Sequence, residues 1–246
     1  MADYIIKLAQ TKKEKEEAYQ LRYEVFLNEL GQGIQPLCAQ KIETDIYDRW
    51  CDHLIVVDKS NNMTVGTYRL LPGRNAYTGA GFYSEKIFDI GKIKGLGKDI
   101  AEVGRSCVHK DYREGLIISL LWKGIADYIK ANNTRYLFGS VRLYTTDPGE
   151  ITEIFGMIKE KYYSAQHLRV VPKKESVFEG LNPQPEAASG KETFLKLPAL
   201  LKGYLRLGMK VCGEPAWDRH LESVVFFIML DINEMTPSYR KHFFEP

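Results

Sequence analysis

Several charged residues fall inside segments whose neighbours are apolar. Ala18, Leu21, Val25 and Phe26 define an apolar stripe on a first helix. At about 100° per residue Arg22 projects near the middle of that stripe. Arg69 interrupts Val65-Gly-Thr-Tyr-Arg-Leu-Leu, and Glu102 and Arg105 interrupt Ala101-Glu-Val-Gly-Arg-Ser-Cys-Val. In a regular strand residues three apart face opposite sides, so a bulge at Gly104 is needed to bring Glu102 and Arg105 to one face. A buried arginine needs a carboxylate, because an unpaired internal charge costs several kcal/mol. Asp45, Asp48 and Asp52, in the loop before the second strand, can supply partners. Such a network adds little stability, but it orders a loop and shifts carboxylate pKa values. Two plainer readings stand beside it: Arg22 snorkels along its stem to water, or the ion pairs only pin the loop to the sheet.

The elements that must position these residues follow from periodicity. Residues 4–9 read as a strand. Thr11 and Glu14 form a capping-box pattern that opens a helix running to about Leu30, where Gly31 and Gly33 end it. Residues 31–52 are irregular. Strands are expected at 53–58 and 63–71, joined by a hairpin turn at Asn61-Asn62, and at about 99–108. A helix over about 113–131 places Leu116, Ile117, Leu120, Leu121, Ile125, Tyr128 and Ile129 on one side. A strand begins at Tyr136, a helix covers 149–161, and late strands fall near 205–212 and 222–231. Residues 172–192, with Pro172, Pro183 and Pro185, read as a surface excursion. Strands alternating with helices indicate an α/β class and one domain over 1–246.

Lys and Arg number 34 against 32 acids, too even for a dedicated nucleic-acid binder. The four cysteines, Cys38, Cys51, Cys107 and Cys212, lack zinc-ligand spacing, so no metal is expected. No secretory leader or span of about 20 apolar residues is visible, which suggests a cytoplasmic protein. Residues 194–210 mix apolar residues with cations. They suit either a peripheral membrane or acidic-carrier face, or a short helix and strand packed on the core.

Leu21-Arg-Tyr-Glu-Val-Phe, Asp45, Tyr47-Asp48, Asp52-His-Leu, Gly66-Thr-Tyr-Arg-Leu-Leu and Glu102-Val-Gly-Arg-Ser-Cys-Val-His occur in that order. The set resembles the acyl-carrier-protein-dependent branch of the GNAT superfamily, which includes acyl-homoserine-lactone synthases, ornithine N-acyltransferases and N-acyl amino acid synthases. Leu120-Leu-Trp-Lys-Gly-Ile, Leu197-Pro-Ala-Leu-Leu-Lys-Gly-Tyr-Leu-Arg-Leu-Gly and Gly213-Glu-Pro-Ala-Trp-Asp resemble the ornithine N-acyltransferase (haemolysin-like) group. The resemblance implies a mixed central sheet, splayed after the fourth strand and flanked by helices. It also implies a charged active-site cluster of Arg22, Asp45, Asp48, Arg69, Glu102 and Arg105, with Phe26 as the helix aromatic. The donor implied is the acyl-phosphopantetheine thioester of acyl carrier protein, with no permanent cofactor, and the acceptor is an amino acid. Glu102 is the candidate general base for aminolysis. Oxyanion donors are expected in the backbone from Ser106 through Cys107 to Val108.

The chain also departs from the pattern. Where a GNAT phosphate loop carries small residues, Tyr112-Arg-Glu-Gly-Leu-Ile-Ile places Leu116 and Ile118. This disfavours a CoA pyrophosphate. Arg142 stands where the ornithine group is expected to have serine, and Val225 where an acid is expected. Arg142 could grip an acceptor carboxylate bidentately, or be a surface residue. The alternatives are an S-adenosylmethionine-using homoserine-lactone synthase, a CoA-dependent acetyltransferase and a non-catalytic acyl-chain or membrane-binding protein.

Overall fold

The computed structural model describes residues 3–31, 41–182, 190–219 and 221–244. In chain order the elements are β1 (Tyr4–Leu8), α1 (Lys12–Arg22), β2 (Asp52–Asp58), β3 (Met63–Pro72), α2 (Gly73–Thr78), β4 (Phe88–Asp89), α3 (Gly91–Lys94), β5 (Ile100–Val108), α4 (Leu116–Asn132), β6 (Tyr136–Arg142), α5 (Pro148–Lys161), β7 (Val171–Pro172), α6 (Gly190–Lys196), α7 (Ala199–Leu207), β8 (Lys210–Val211), β9 (Ala216–Asp218), β10 (Ser223–Asp231) and α8 (Pro237–Phe244). A π-helical turn, Tyr23–Glu29, continues α1. They form two compact units, one of Met1–Gly81 with Ala101–Thr134, the other of Phe82–Ile100 with Arg135–Glu245.

In the first unit the strands run in the order β1-β2-β3-β5, all antiparallel. The hairpin between β2 and β3 turns through Asn62 at φ 54°, a conformation asparagine tolerates. The capping box at α1 is formed: Thr11 Oγ1 accepts from the Glu14 amide at 3.2 Å, and Glu14 Oε2 accepts from the Thr11 amide at 3.0 Å. Strand alternation gives each helix its own face. Ala18 of α1 packs with Ala9, Ile55 and Val57, and Leu21 and Val25 pack with Cys107. On the opposite face α4 lies over Gly66, whose absent side chain leaves room for Ile117 and Leu121.

In the second unit β10 pairs antiparallel with β6 on one side and with β8 and β9 on the other, while β4 and β7 form a separate ribbon. Phe155 of α5 stacks on Phe226, and the other face carries Phe82, Phe138, Phe88 and Phe227 in mutual ring contact.

Three expectations are corrected. The strand proposed at 205–212 begins inside a helix: Leu201, Tyr204, Leu205 and Leu207 bury one face of α7, which runs to Leu207, and only Lys210–Val211 is extended. Gly208, at φ 111°, ends that helix. The apolar side of this segment therefore goes to the core, as the plainer of its two readings held. The helix expected from residue 113 begins at Leu116, after Gly115 at φ 95°, and Leu116 is exposed, not part of the buried side. Part of the 172–192 excursion is structured, with Val171–Pro172 paired to β4 and Val177 bridged to Ala216; Pro183 and Pro185 lie outside the described residues. Among the described residues no helix is long and apolar enough to cross a membrane.

Gly→Ala in an exposed helix interior stabilises by about 1 kcal/mol. At Gly124 of α4 the sign should reverse, because the new carbon would stand 2.7 Å from Leu54 Cδ1 and 2.8 Å from Ile6 Cγ2. Gly124→Ala is expected to lower stability by about 1–3 kcal/mol, measured by urea unfolding.

Candidate active site

Arg22 ends α1 and is wholly buried. Its Nε donates to Glu43 Oε2 at 2.5 Å, and its Nη1 and Nη2 fork onto the two Asp48 oxygens at 2.7 and 3.1 Å. Arg69 Nη1 donates to Asp45 Oδ1 at 2.7 Å and to Asp48 Oδ1 at 3.2 Å. Arg105 pairs with Glu43 Oε1 at 3.2 Å and with Asp45 Oδ2 at 3.5 Å. Each carboxylate therefore bridges two arginines. The pairs close into a ring of alternating charge: Arg22, Glu43, Arg105, Asp45, Arg69, Asp48 and back to Arg22.

The backbone explains how Arg105 reaches the ring. Thr67 pairs with Cys107 but Arg69 pairs with Gly104, so β5 carries one extra residue. The bulge lies at Arg105 and Ser106. Arg105 takes the positive φ, 48°, where the sequence suggested Gly104. Glu102, opposite Leu71, shares the Arg69 face of the sheet. It is buried, and, behind burial itself and the Asp48 charge, it adds to the raised Cys51 thiol pKa that Arg69 opposes.

Burial opposes ionisation of Asp48, but the Arg22 charge and hydrogen bonds, then Arg69, hold its carboxyl well below the ordinary range. Burial likewise opposes ionisation of Asp45, and Arg69 outweighs it and lowers the pKa. Asp48 and Asp45 in turn raise Arg69 against its own desolvation. His53 Nε2 faces the Asp48 carbonyl oxygen and the Tyr19 hydroxyl, each at 3.2 Å. Burial holds His53 neutral, with its pKa lowered to about 4. Burial pushes the thiols of Cys51, Cys107 and Cys212 up to about 12; Cys38 lies outside the described residues.

The fold thus gathers Arg22, Asp45, Asp48, Arg69 and Arg105, and sets Glu102 on their face. Arg22 does not snorkel. Phe26, in the π-helical turn, packs on Leu21, Val25 and Cys107. Ser106 is half-buried in the bulge, and the Val108 carbonyl accepts from Arg113 Nε at 3.1 Å. Asp52 does not join the ring; it faces α4 and accepts from the Tyr128 hydroxyl at 2.8 Å. Arg142 belongs to the second unit, where burial lowers its pKa. Sequence reasoning missed Glu43 and His53. Glu43 lies in a segment without periodicity, where its place two residues before Asp45 was the only signal.

Residues 21–123 match the acetyltransferase (GNAT) domain model. The L-ornithine N(alpha)-acyltransferase of Rhodobacter capsulatus is 31% identical over 98% of this chain and 94% of its own length. The chain belongs to the L-ornithine N(alpha)-acyltransferase family. A member from Rhizobium meliloti is 30% identical over 99% of this chain and 85% of its own length. Among solved structures, FeeM, an N-acyl amino acid synthase from uncultured soil microbes, superposes with a TM-score of 0.57 at 12% identity, covering 95% of this chain and 93% of its own. The acyl-homoserine-lactone synthase LasI gives 0.54 at 12%, covering 100% and 96%. These likenesses show a shared GNAT-like fold. The present L-ornithine N(alpha)-acyltransferase family member is an N-acyltransferase with a mainly antiparallel sheet flanked by helices.

The neutral His53 fixes the sign of one pH dependence. Unfolding raises its pKa from about 4 to 6.5, so the unfolded chain binds the extra proton between those values. Stability should fall as pH drops through that window, by about 1.4 kcal/mol per pH unit. The lowered Asp45 and Asp48 add their loss only below about pH 4. His53→Gln should flatten the urea midpoint between pH 6.5 and 4 and leave the acid limb. Asp48→Asn, which strips Arg22 and Arg69 of a shared partner, should cost about 3–5 kcal/mol at pH 7 in the same assay.

Proposed function

We propose that the protein transfers a long-chain fatty acyl group from the phosphopantetheine thioester of acyl carrier protein to the amino group of an amino acid, with L-ornithine, the acceptor in its relatives' name, as the first substrate. The observation that carries the reading is the match to L-ornithine N(alpha)-acyltransferases along nearly the whole chain. The carrier-protein donor is supported by the loop before α4. Arg113, the cation of that loop, is engaged by both carboxylate oxygens of Glu29, with Nη2 to Oε2 at 2.7 Å, and by the Val108 carbonyl. Tyr112 donates to Asp58 Oδ2 at 2.9 Å. Leu116 stands exposed at the first turn of α4. A helix start fronted by leucine, with its arginine committed elsewhere, suits a bare pantetheine arm better than a pyrophosphate.

In this mechanism the ammonium of the acceptor first loses a proton to Glu102, directly or through one water. The amine nitrogen attacks the thioester carbonyl carbon. Backbone N–H groups around Ser106, Cys107 and Val108 receive the developing oxyanion. Collapse forms the amide and breaks the C–S bond, and the second proton lost by the attacking nitrogen balances the one taken up by the departing carrier thiolate, which leaves as the free thiol. The ring of Arg22, Asp45, Asp48, Arg69 and Arg105 with Glu43 holds the polar face on which Glu102 stands, and Phe26 with Cys107 forms an apolar wall.

The test pairs a donor screen with one substitution. Purified protein with C12–C18 acyl carrier protein and L-ornithine should give N-acylornithine by mass spectrometry, and matched acyl-CoA should give far less. Glu102→Gln should lower turnover by about 10²–10⁴-fold with an unchanged urea midpoint. Full activity in that variant removes Glu102 from the role, and product from acyl-CoA at the carrier-protein rate removes the donor assignment.

A further inference from the structure

In the second unit one face of the sheet changes character along its length. Residues paired directly across antiparallel strands share a face, as do residues two apart. The pairs Phe227 with Ser140, Val225 with Arg142 and Ser223 with Asp218 therefore place Ser140, Arg142, Ser223 and Asp218 on one face. The same face carries the Phe138 and Phe227 rings farther along. The aromatic end is closed by Phe82. The polar end is flanked by Tyr83, whose hydroxyl donates to Asp218 Oδ2 at 3.1 Å, and by Ser84, whose Oγ lies 3.3 Å from Ser140 Oγ.

Two groups in this polar row are left over. Ser223 is 1% exposed, and its buried Oγ has no hydrogen-bond partner among the described residues. Arg142 Nε is likewise buried without a partner, and no ion pair holds the guanidinium among the described residues. Elsewhere Arg22 and Arg69 each hydrogen-bond two carboxylates, so the chain has the means to satisfy an internal arginine and does not use them here. A buried hydroxyl and a buried guanidinium nitrogen without partners are each left with an uncompensated desolvation cost, which a bound anion would remove. Arg142 as a whole is only half-buried, so a ligand can reach it. Asp218 acts on Arg142 electrostatically. A nearby carboxylate repels a dianion, and it tolerates a carboxylate that travels with a positive charge on the same molecule.

We infer that Arg142 and Ser223 form a carboxylate-binding subsite for an amino acid. This rests on the amino-acid acceptor proposed above. Arg142 offers a planar fork that matches a carboxylate, and Ser223 Oγ supplies one further donor. Asp218 biases the row toward a zwitterion or a diamino acid and against inorganic phosphate. Arg142 is thereby a specificity-determining residue, because a diamine without the carboxylate gains nothing from it.

The probes are L-ornithine, 1,4-diaminobutane, which is ornithine without its carboxylate, and inorganic phosphate. With long-chain acyl carrier protein as donor, the wild-type preference in kcat/KM for L-ornithine over the diamine should fall by about 10- to 100-fold in Arg142→Ala. The loss should lie in KM for ornithine, and Arg142→Lys should recover part of it. Calorimetry without donor should show L-ornithine binding that Arg142→Ala and Ser223→Ala weaken, with an unchanged urea midpoint certifying the fold. An unaltered preference in Arg142→Ala, or equal losses on ornithine and diamine, overturns the subsite. So does wild-type calorimetry showing binding of phosphate but not ornithine. If the wild type acylates no amino acid yet binds L-ornithine through Arg142, the subsite stands and the proposed reaction fails.

Discussion

The first unit depends on how one buried guanidinium is satisfied. Arg22 lies beneath α1 with no access to water, where desolvation of a lone cation would cost several kcal/mol. Its Nε and its fork face two different carboxylates, Glu43 and Asp48. Each of these carries a second arginine, and Asp45 joins those two arginines to each other. Closure matters because every member then has an opposite charge on both sides. A chain of the same groups would leave two ends half-neutralised in a low-dielectric setting, where an incomplete network is worse than none.

That closure dictates local backbone geometry. Arg105 must depart from the pleat to meet Glu43 and Asp45, which is why β5 bulges and a non-glycine residue holds φ 48°. The 41–50 segment is pulled down in turn: the Asp45 amide donates to Asp48 Oδ2 at 2.7 Å, the Tyr47 amide to Asp45 Oδ1 at 2.9 Å, and the Glu43 amide to the Tyr19 carbonyl at 3.1 Å. The acids that neutralise the arginines thus also organise their own loop. Beyond Arg22 the helix widens into the π-helical turn, with the Leu30 amide reaching the Val25 carbonyl. Such turns recur at functional sites, and this one carries Phe26 onto Cys107.

Much of this was legible before the structure. Arg22 betrayed itself by interrupting a 3.6-residue stripe, and Arg69, Glu102 and Arg105 by interrupting period-two strands, because periodicity turns a charge in the wrong place into a signal. Glu43 was not legible, since the irregular segment that holds it offers no period to violate. The bulge was placed one residue early because glycine is the cheapest residue at positive φ, whereas here the ion pairs of Arg105 outweigh backbone preference. The strand expected at 205–212 failed for a related reason: Leu201, Tyr204 and Leu205 carry helical spacing, and the run of apolar residues hid it. Leu116 fitted the α4 pattern on paper but lies on the first turn, beyond the core that the pattern describes.

An ion-pair ring is an inefficient way to stabilise a core, since well-packed apolar residues of similar volume are often as good or better. Its retention is better explained by what apolar packing cannot provide. Hydrophobic contacts are non-directional, whereas a forked guanidinium fixes a carboxylate in distance and plane. The ring therefore holds an irregular loop, a bulged strand and a helix end in one register and leaves a rigid polar face on β5 where Glu102 stands. The carboxylate proposed as general base needs such a face, because positional error of about 1 Å is enough to forfeit much of the advantage of orientation. The second unit shows the complementary state: an arginine and a serine whose partners the described residues do not supply. Where arginines and carboxylates alternate around a closed ring the chain builds a scaffold, and the partnerless Arg142 Nε and Ser223 Oγ are the groups that the proposed subsite would use.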